Sequence, residues 1–265
     1  MRFFTNRDII TIIGVVSAFL KEGLLLQEEI MNFELESTSV WSFPDRGNWA
    51  THSGKYRGNW SPYVPRNLIL RYSNPGDWVL DQFMGSGTTL VEAKLLGRNA
   101  VGVDINPQSV SISETNLQFQ CESKSKIYTK NGNAIDLNFI KDSRIDFICT
   151  HPPYANIIKY SKGIEGDISL LDVESFLNEM SKVANECYRV LKKGKMCAVM
   201  IGDIRRYGKV ITLGFRMMER FLQAGFSNKE IIIKEQHNCL STDYWKGQKR
   251  DFLLLAHEYI FVFQK

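Results

Sequence analysis

Hydrophobic and polar positions follow two alternating periods from Asp77 onward. Trp78-Val79-Leu80 is a short apolar run behind Pro75-Gly76 and predicts a buried strand, and Thr88–Leu96 predicts the following helix, closed by Gly97. Ala100–Val103 predicts a second strand, after which Asn106 can cap a helix that begins with Pro107. Ile127-Tyr128 and Ile145–Cys149 predict two more strands. Val173–Leu191 places Val173, Phe176, Leu177, Met180, Val183, Ala184, Cys187, Val190 and Leu191 on one helical stripe, with Lys192-Lys193-Gly194 as its expected stop. A strand at Met196–Ile201, a helix at Ile211–Leu222 closed by Gly225, and strands at Ile231–Ile233 and Tyr259–Phe263 complete the pattern. Seven strands alternating with helices predict an α/β fold: an open, mostly parallel sheet with helices on both faces. The last two strands have no helical stretch between them and can pair antiparallel.

The N-terminal part reads differently. Ile9–Leu20 is apolar but broken by Thr11, Gly14 and Ser17, and it is too short to span a bilayer. Asp8 abuts it and the pattern continues to Leu24–Leu26, so a packed helix is expected rather than a secretory signal. The expected division is an N-terminal helical extension over 1–46 and a catalytic domain over 47–265. Trp49 to Pro65 is rich in aromatic, glycine and basic residues, as an ordered covering loop would be.

Composition excludes several classes. With 44% hydrophobic and 23% charged residues in 265, the chain is neither disordered nor collagenous. A net charge of +4 permits a polyanionic partner without requiring one. The five cysteines are odd in number and lack a Cys-x-x-Cys pair, which argues against a zinc ribbon or a disulfide framework and for a reducing, cytoplasmic location. His52, His237 and His257 are not spaced as ligands, so no metal is expected. Cys149 is expected in a buried strand.

Ligands of open α/β sheets sit at the carboxyl ends of the strands, which directs attention to Asp81-Gln82-Phe83-Met84-Gly85-Ser86-Gly87-Thr88-Thr89. Gly85 and Gly87 permit a tight turn into a helix N-terminus. No Lys follows Gly87, which excludes a P-loop, and Leu90 stands where a dinucleotide fingerprint needs a small residue. Asp81 would repel a pyrophosphate and suits a cation, while Asp104 at the end of the next strand can take a ribose diol. A ligand with a ribose, a positive centre and no phosphate fits both, and S-adenosylmethionine is such a ligand. The plainer alternative is a glycine-rich turn with two solvated aspartates.

The fourth strand ends in Thr150-His151-Pro152-Pro153-Tyr154, where two prolines stiffen the backbone and leave carbonyl acceptors ahead of an aromatic ring. Together, Asp-x-Phe-x-Gly-Ser-Gly-Thr-Thr and x-Pro-Pro-Tyr resemble the DNA amino-methyltransferases that act on adenine N6 or cytosine N4. The resemblance runs from about His52 to Tyr259-Ile260-Phe261-Val262-Phe263. It implies a Rossmann-like, S-adenosylmethionine-dependent methyltransferase fold. It also implies that Trp60 to Asn67, with Pro65, lies over the methionine end of the cofactor. Asp81 to Thr88, with Phe83, Gly85, Ser86 and Gly87, would form the cofactor loop. Asp104 would hold the ribose, Ile105 would pack on the adenine, and Asn133-Ala134 would stand where the family usually has an acid near the adenine amine. Gln82, Asn133 and His151 depart from the family pattern; His151 replaces the usual Asp, Asn or Ser of the tetrapeptide.

No proline precedes a cysteine, so the nucleophile of cytosine-C5 methylation is absent from its usual setting. The expectation is instead that a base flipped from double-stranded DNA stacks on Tyr154. The Pro152 carbonyl and the His151 ring then accept the amino hydrogens, with Pro153 completing the motif. An unperturbed histidine would make activity fall below pH of about 6.5. An RNA amino-methyltransferase and a catalytically decayed DNA-binding subunit are the rival readings. Lys159, Lys162, Arg205, Arg206, Lys246, Lys249 and Arg250 are candidate phosphate contacts, and Trp245 a candidate base contact. No large insertion separates the two motifs. Target reading is therefore expected from the N-terminal 50 or so residues, from the loops after Tyr154 and around Asn238–Arg250, or from a homodimer or separate specificity partner. No membrane association is expected.

Overall fold

A strand that is apolar on both sides needs cover on both sheet faces, and the chain supplies it by alternating strand and helix. The computed structural model describes residues 33–238, 247–248 and 251–265. The expected N-terminal apolar helix, Cys239, Trp245, Lys246, Lys249 and Arg250 lie outside these residues. In chain order the described elements are β1 (Val40–Trp41), α1 (Tyr63–Tyr72), β2 (Trp78–Asp81), α2 (Thr88–Leu95), β3 (Asn99–Asp104), α3 (Pro107–Asn116), β4 (Ile127–Asn131) and β5 (Ile145–Thr150). They continue as α4 (Val173–Val190), β6 (Leu191–Ile201), β7 (Ile204–Arg206), β8 (Lys209–Ile211), α5 (Leu213–Gln223), β9 (Ser227–Glu235) and β10 (His257–Gln264).

Eight strands form one sheet in the order β1-β9-β10-β6-β5-β2-β3-β4. β10 runs antiparallel between β6 and β9, and the other pairings are parallel. The chain builds outward from β2 to β3 and β4 on one side, then returns to place β5 on the other. The carboxyl ends of β2 and β5 therefore flank a topological switch point. Neighbouring residues of a strand face opposite ways. Leu80 and Ile148 join the cluster holding the α4 stripe of Phe176, Leu177, Met180, Val183, Ala184, Cys187 and Val190. Phe147, one position away, meets Tyr72 of α1 at 5.9 Å between ring centroids. Helices thus cover both faces, as the alternation predicts.

Three expectations are corrected. Among the described residues the sheet has eight strands rather than seven, because Val40–Trp41 pairs with Ile233 and Lys234 at the edge. Gly194 does not cap α4: the helix stops at Val190, Leu191 starts β6 at once, and Gly194 (φ +76) donates its N–H to the Lys265 carbonyl. Ile211 belongs to the β7–β8 hairpin, whose turn at Tyr207-Gly208 has positive φ at both residues, so α5 starts at Leu213.

The aromatic segment after β1 is fastened by one buried carboxylate. Glu92 of α2, fully buried, accepts hydrogen bonds from Trp49 Nε1 (2.7 Å), His52 Nε2 (2.6 Å) and Arg66 Nε (2.7 Å). The Arg66 guanidinium also lies 4.5 Å from the Trp49 ring centroid. Burial pushes the Glu92 carboxyl upward, but the bond from His52 and the charge of Arg66 outweigh it and hold the group below its ordinary value. Replacing Glu92 by Ala removes the carboxylate that Arg66, His52 and Trp49 share in the interior, and we expect a loss of about 3–5 kcal/mol. Urea unfolding followed by circular dichroism reads this as a lowered midpoint at unchanged slope.

Candidate active site

The site is built where β2 and β5 end side by side. Asp81 closes β2, and its buried carboxylate is shared among three segments. Oδ1 accepts from Phe83 N of the glycine loop (3.1 Å) and from Thr150 Oγ1 of β5 (2.7 Å); Oδ2 accepts from Thr89 Oγ1 of α2 (2.5 Å). Burial raises its pKa to about 6, and the three hydrogen bonds only partly offset this. Sequence pattern suggested a carboxylate held ready for a cation. The structure gives it a structural duty as well, at the edge of the cleft described next.

That cleft encloses about 830 Å³ of empty space, its open mouth included. Its floor is the glycine loop. Gly85 and Gly87 have φ of +51 and +86, where glycine is favoured, and a Cβ on Gly87 would collide with Ser113 Oγ. Gly85 N donates to Asp104 Oδ2 (3.0 Å) and Asn106 N donates to Asp104 Oδ1 (2.9 Å). Each Asp104 oxygen therefore takes one backbone hydrogen and keeps lone-pair capacity. Burial raises its pKa, and a nearby carboxylate, Asp167, raises it further.

Most of the expected cofactor residues meet here. Trp60, Asp81, Phe83, Gly85, Ser86, Asp104, Ile105, Asn133 and Ala134 all line the cleft. Pro65, Gly87 and Thr88 do not: Pro65 is buried within α1, Gly87 packs on Ser113, and Thr88 Oγ1 donates to Asn59 Oδ1 (2.5 Å). Lining residues that carried no binding assignment in the sequence pattern include the polar side chains of Tyr56, Asn59, Tyr160 and Asp167. Asp167 is 6% exposed; its Oδ1 accepts from Ser169 N (2.8 Å), while its Oδ2 is buried without a hydrogen-bond partner. Gly166 next to it sits against Asn133 and Ile105. An isolated Asp in a polar loop gives no local signal; only the return of the chain after the tetrapeptide brings it to the cleft.

The tetrapeptide divides. His151 and Pro153 line the same cleft, whereas Pro152 is buried and Tyr154 is not among the lining residues. The His151 ring stacks on Trp60 (5.4 Å, 25°) and meets Tyr154 edge-on (5.4 Å, 62°). Removal from water lowers the imidazole pKa to about 4, against the upward pull of Glu258. The ordinary histidine titration expected near 6.5 is thereby displaced. Tyr154 rests against Gly202, and its hydroxyl donates to Glu258 Oε1 (2.6 Å), so the ring is anchored. Glu258 was missed, although an acid directly before the apolar run Tyr259–Phe263 was a readable signal.

The remaining candidates are peripheral. Lys159 and Lys162 are exposed on the loop after the tetrapeptide. Arg205 is engaged locally with the Gly208 and Leu253 carbonyls and lies over the Phe252 ring at 4.8 Å. Cys149 is buried in β5, and the described cysteines are all free. Among the described residues no helix is long and apolar enough to cross a membrane.

Comparison with known proteins bears on the family and the fold. A family model described as DNA methylase matches residues 27–115 and 145–265, which include both motifs. The chain is 43% identical over 94 residues to type II methyltransferase M.MjaII of Methanocaldococcus jannaschii, covering 34% of this chain and 18% of that protein. It is 34% identical over 100 residues to a tRNA (guanine(10)-N2)-dimethyltransferase of Methanothermobacter thermautotrophicus, covering 37% and 29%. These matched segments thus span less than a third of either relative's own length. Among solved structures, an S-adenosylmethionine-dependent methyltransferase of Methanosarcina mazei superposes with a TM-score of 0.53 at 18% identity, covering 75% of this chain and 96% of that one. That likeness establishes the fold.

The raised pKa of Asp81 has a measurable sign. The stability it contributes is fully present below its ordinary value of 3.8 and is lost as pH rises through about 6. Relative to Asp81→Asn, the protein is expected to lose about 2 kcal/mol of unfolding free energy between pH 4 and pH 6.5. Parallel urea titrations of both proteins across that range measure the difference, and parallel curves would refute the assignment.

Proposed function

The chain belongs to the N6/N4 DNA methylase family, and on that premise we propose that it transfers a methyl group from S-adenosylmethionine to the exocyclic amine of a cytosine or adenine flipped from double-stranded DNA. One observation carries the reading: His151 of the tetrapeptide and Asp104 beside the glycine loop line a single cleft. A nucleoside held at one end and a base entering at the other would meet there.

The residues present fit the cofactor. Asp104 keeps acceptor capacity for a ribose diol, Ile105 supplies an apolar wall, and the glycine turns hold the backbone close. Asp167 Oδ2, buried and unpaired beside the Asn133 and Ile105 wall, offers the acceptor for a purine amine that Asn133 cannot supply as a carboxylate. No lysine lines the cleft, and Gly85 N is already bonded to Asp104. S-adenosylmethionine supplies a methyl group already activated on a sulfonium.

The chain's task is then to present the amine. His151, neutral down to pH of about 4, accepts one amino hydrogen, and the Pro152 carbonyl is the second acceptor. Two acceptors pull the amino nitrogen out of conjugation with its ring and free its lone pair for the methyl carbon. As the N–C bond forms, the methyl-to-sulfur bond breaks with its electron pair left on sulfur as a neutral thioether, and the nitrogen sheds one proton toward these acceptors. An imidazole with so low a pKa holds the hydrogen bond without first stripping the amine. The base lies beside His151 and Trp60, with the Tyr154 ring, anchored through its hydroxyl, as the expected stacking surface.

Labelled S-adenosylmethionine incubated with duplex DNA, with tRNA and with neither tests the substrate class, and mass analysis of the digested nucleosides identifies the base. The expected result is N4-methylcytosine or N6-methyladenine from DNA. Methylation of tRNA alone, which the likeness to the tRNA enzyme would favour, overturns the DNA assignment. His151→Ala is expected to lower kcat on the order of 100-fold. The His151 acid limb of the wild-type profile is expected near pH 4, and a limb near 6 that survives His151→Ala belongs to Asp81.

A further inference from the structure

Behind the tetrapeptide runs a chain of three hydrogen bonds that the proposed transfer does not by itself require. Lys234 Nζ of β9 lies 3.1 Å from Glu258 Oε2 of β10. Tyr154 Oη donates to Glu258 Oε1 at 2.6 Å, and Tyr154 Oη lies 2.8 Å from His151 Nε2. Glu258 is 7% exposed, and these groups meet on adjoining elements at the carboxyl end of the sheet. Tyr160, from the loop after the tetrapeptide, is the further titratable group close to Tyr154.

We propose that Glu258 is a positioning residue: by taking the Tyr154 hydroxyl hydrogen it fixes the His151 proton on Nε2 and leaves Nδ1 as the ring's acceptor. The reasoning is a count of hydrogens. Burial pushes the Glu258 carboxyl upward, but Lys234, His151 and Tyr154 together hold it below its ordinary value, so it is ionised and can only accept. Tyr154 has one hydroxyl hydrogen, and Glu258 takes it. The phenol oxygen can then offer His151 only a lone pair, so Nε2 must carry a hydrogen. A neutral imidazole has one such hydrogen, and Nδ1 is therefore bare. Trp60, stacked on the ring, keeps its plane fixed. Lys234 sets the direction of the whole chain because an ammonium can only donate.

This rests on the reading of His151 as the acceptor of a substrate amino hydrogen, and the test separates the two. In Glu258→Gln, Lys234 claims the amide oxygen and the amide NH2 turns to Tyr154. The phenol then donates to Nε2 and the His151 proton moves to Nδ1. Nitrogen-15 NMR of histidine-labelled protein is expected to show the Nε2–H tautomer in the wild type and the Nδ1–H tautomer in E258Q. The kcat of E258Q is expected to fall on the order of 100-fold or more, as wrong-tautomer variants of other enzymes do. Y154F, which removes the link and lets the ring choose, is expected to lose less than about tenfold. The double variant E258Q/Y154F should return to the Y154F level, a recovery that a merely structural role for Glu258 would not produce. An identical tautomer in wild type and E258Q, or a double variant no more active than E258Q, overturns the proposal. If the wild type methylates no nucleic acid, the functional reading fails, and the tautomer measurement still decides this one.

Discussion

The Asp81 carboxylate is the joint on which the site depends. A parallel sheet brings the ends of β2 and β5 together but does not say how their loops should lie. Asp81 settles this by accepting from the glycine loop, from α2 and from the last residue of β5 at once. The cofactor side and the tetrapeptide side are thus referenced to one pair of oxygens. The cost is an acid kept from water, visible as a pKa near 6. A buried carboxylate with three donors is tolerable where an unpaired one would not be.

Around that joint the cleft penalises charge of either sign. Asp81 and Asp104 are raised by burial, and His151 is lowered by it. Such an environment strengthens every hydrogen bond made to a ligand, since little water competes. Acids removed from water elsewhere have internal partners for the same reason: Glu258 has Lys234 and Glu92 has Arg66, while in the cleft Asp104 has two backbone amides. Only Asp167 among the buried lining acids keeps an oxygen unpaired, which makes it the acceptor the protein itself leaves open.

The core of the fold was legible because β2 to β5 and the helices between them each carry their own period, and the α4 stripe is buried residue by residue as its spacing implies. What escaped has little or no period. A two-residue strand such as β1 cannot alternate, and its pairing with β9 is a tertiary fact. The junction at Val190-Leu191 escaped because Lys192-Lys193-Gly194 is a fair helix stop in isolation, yet Lys192 instead pairs with Asp146 along the strand. At the site the same divide holds. Asp81, Gly85, Asp104 and His151 lie in local motifs. Tyr56, Asp167 and Glu258 reach the site from segments up to 107 positions from His151, so their placement is set by topology rather than by neighbours in sequence.

The bond from Gly85 N to Asp104 also bears on what the cleft turns away. In many nucleotide sites the first amides of the helix stand open and grip an anion. Here the loop amide is already spent on a carboxylate, and a second carboxylate, Asp81, stands at the same floor. On the proposed reading, an adenosine carrying phosphates would bring its negative tail against Asp81 and Asp104, in a cleft that no lysine lines. The turn that shapes the cleft for one nucleoside would then also filter against phosphorylated adenosine competitors, without any residue dedicated to the task.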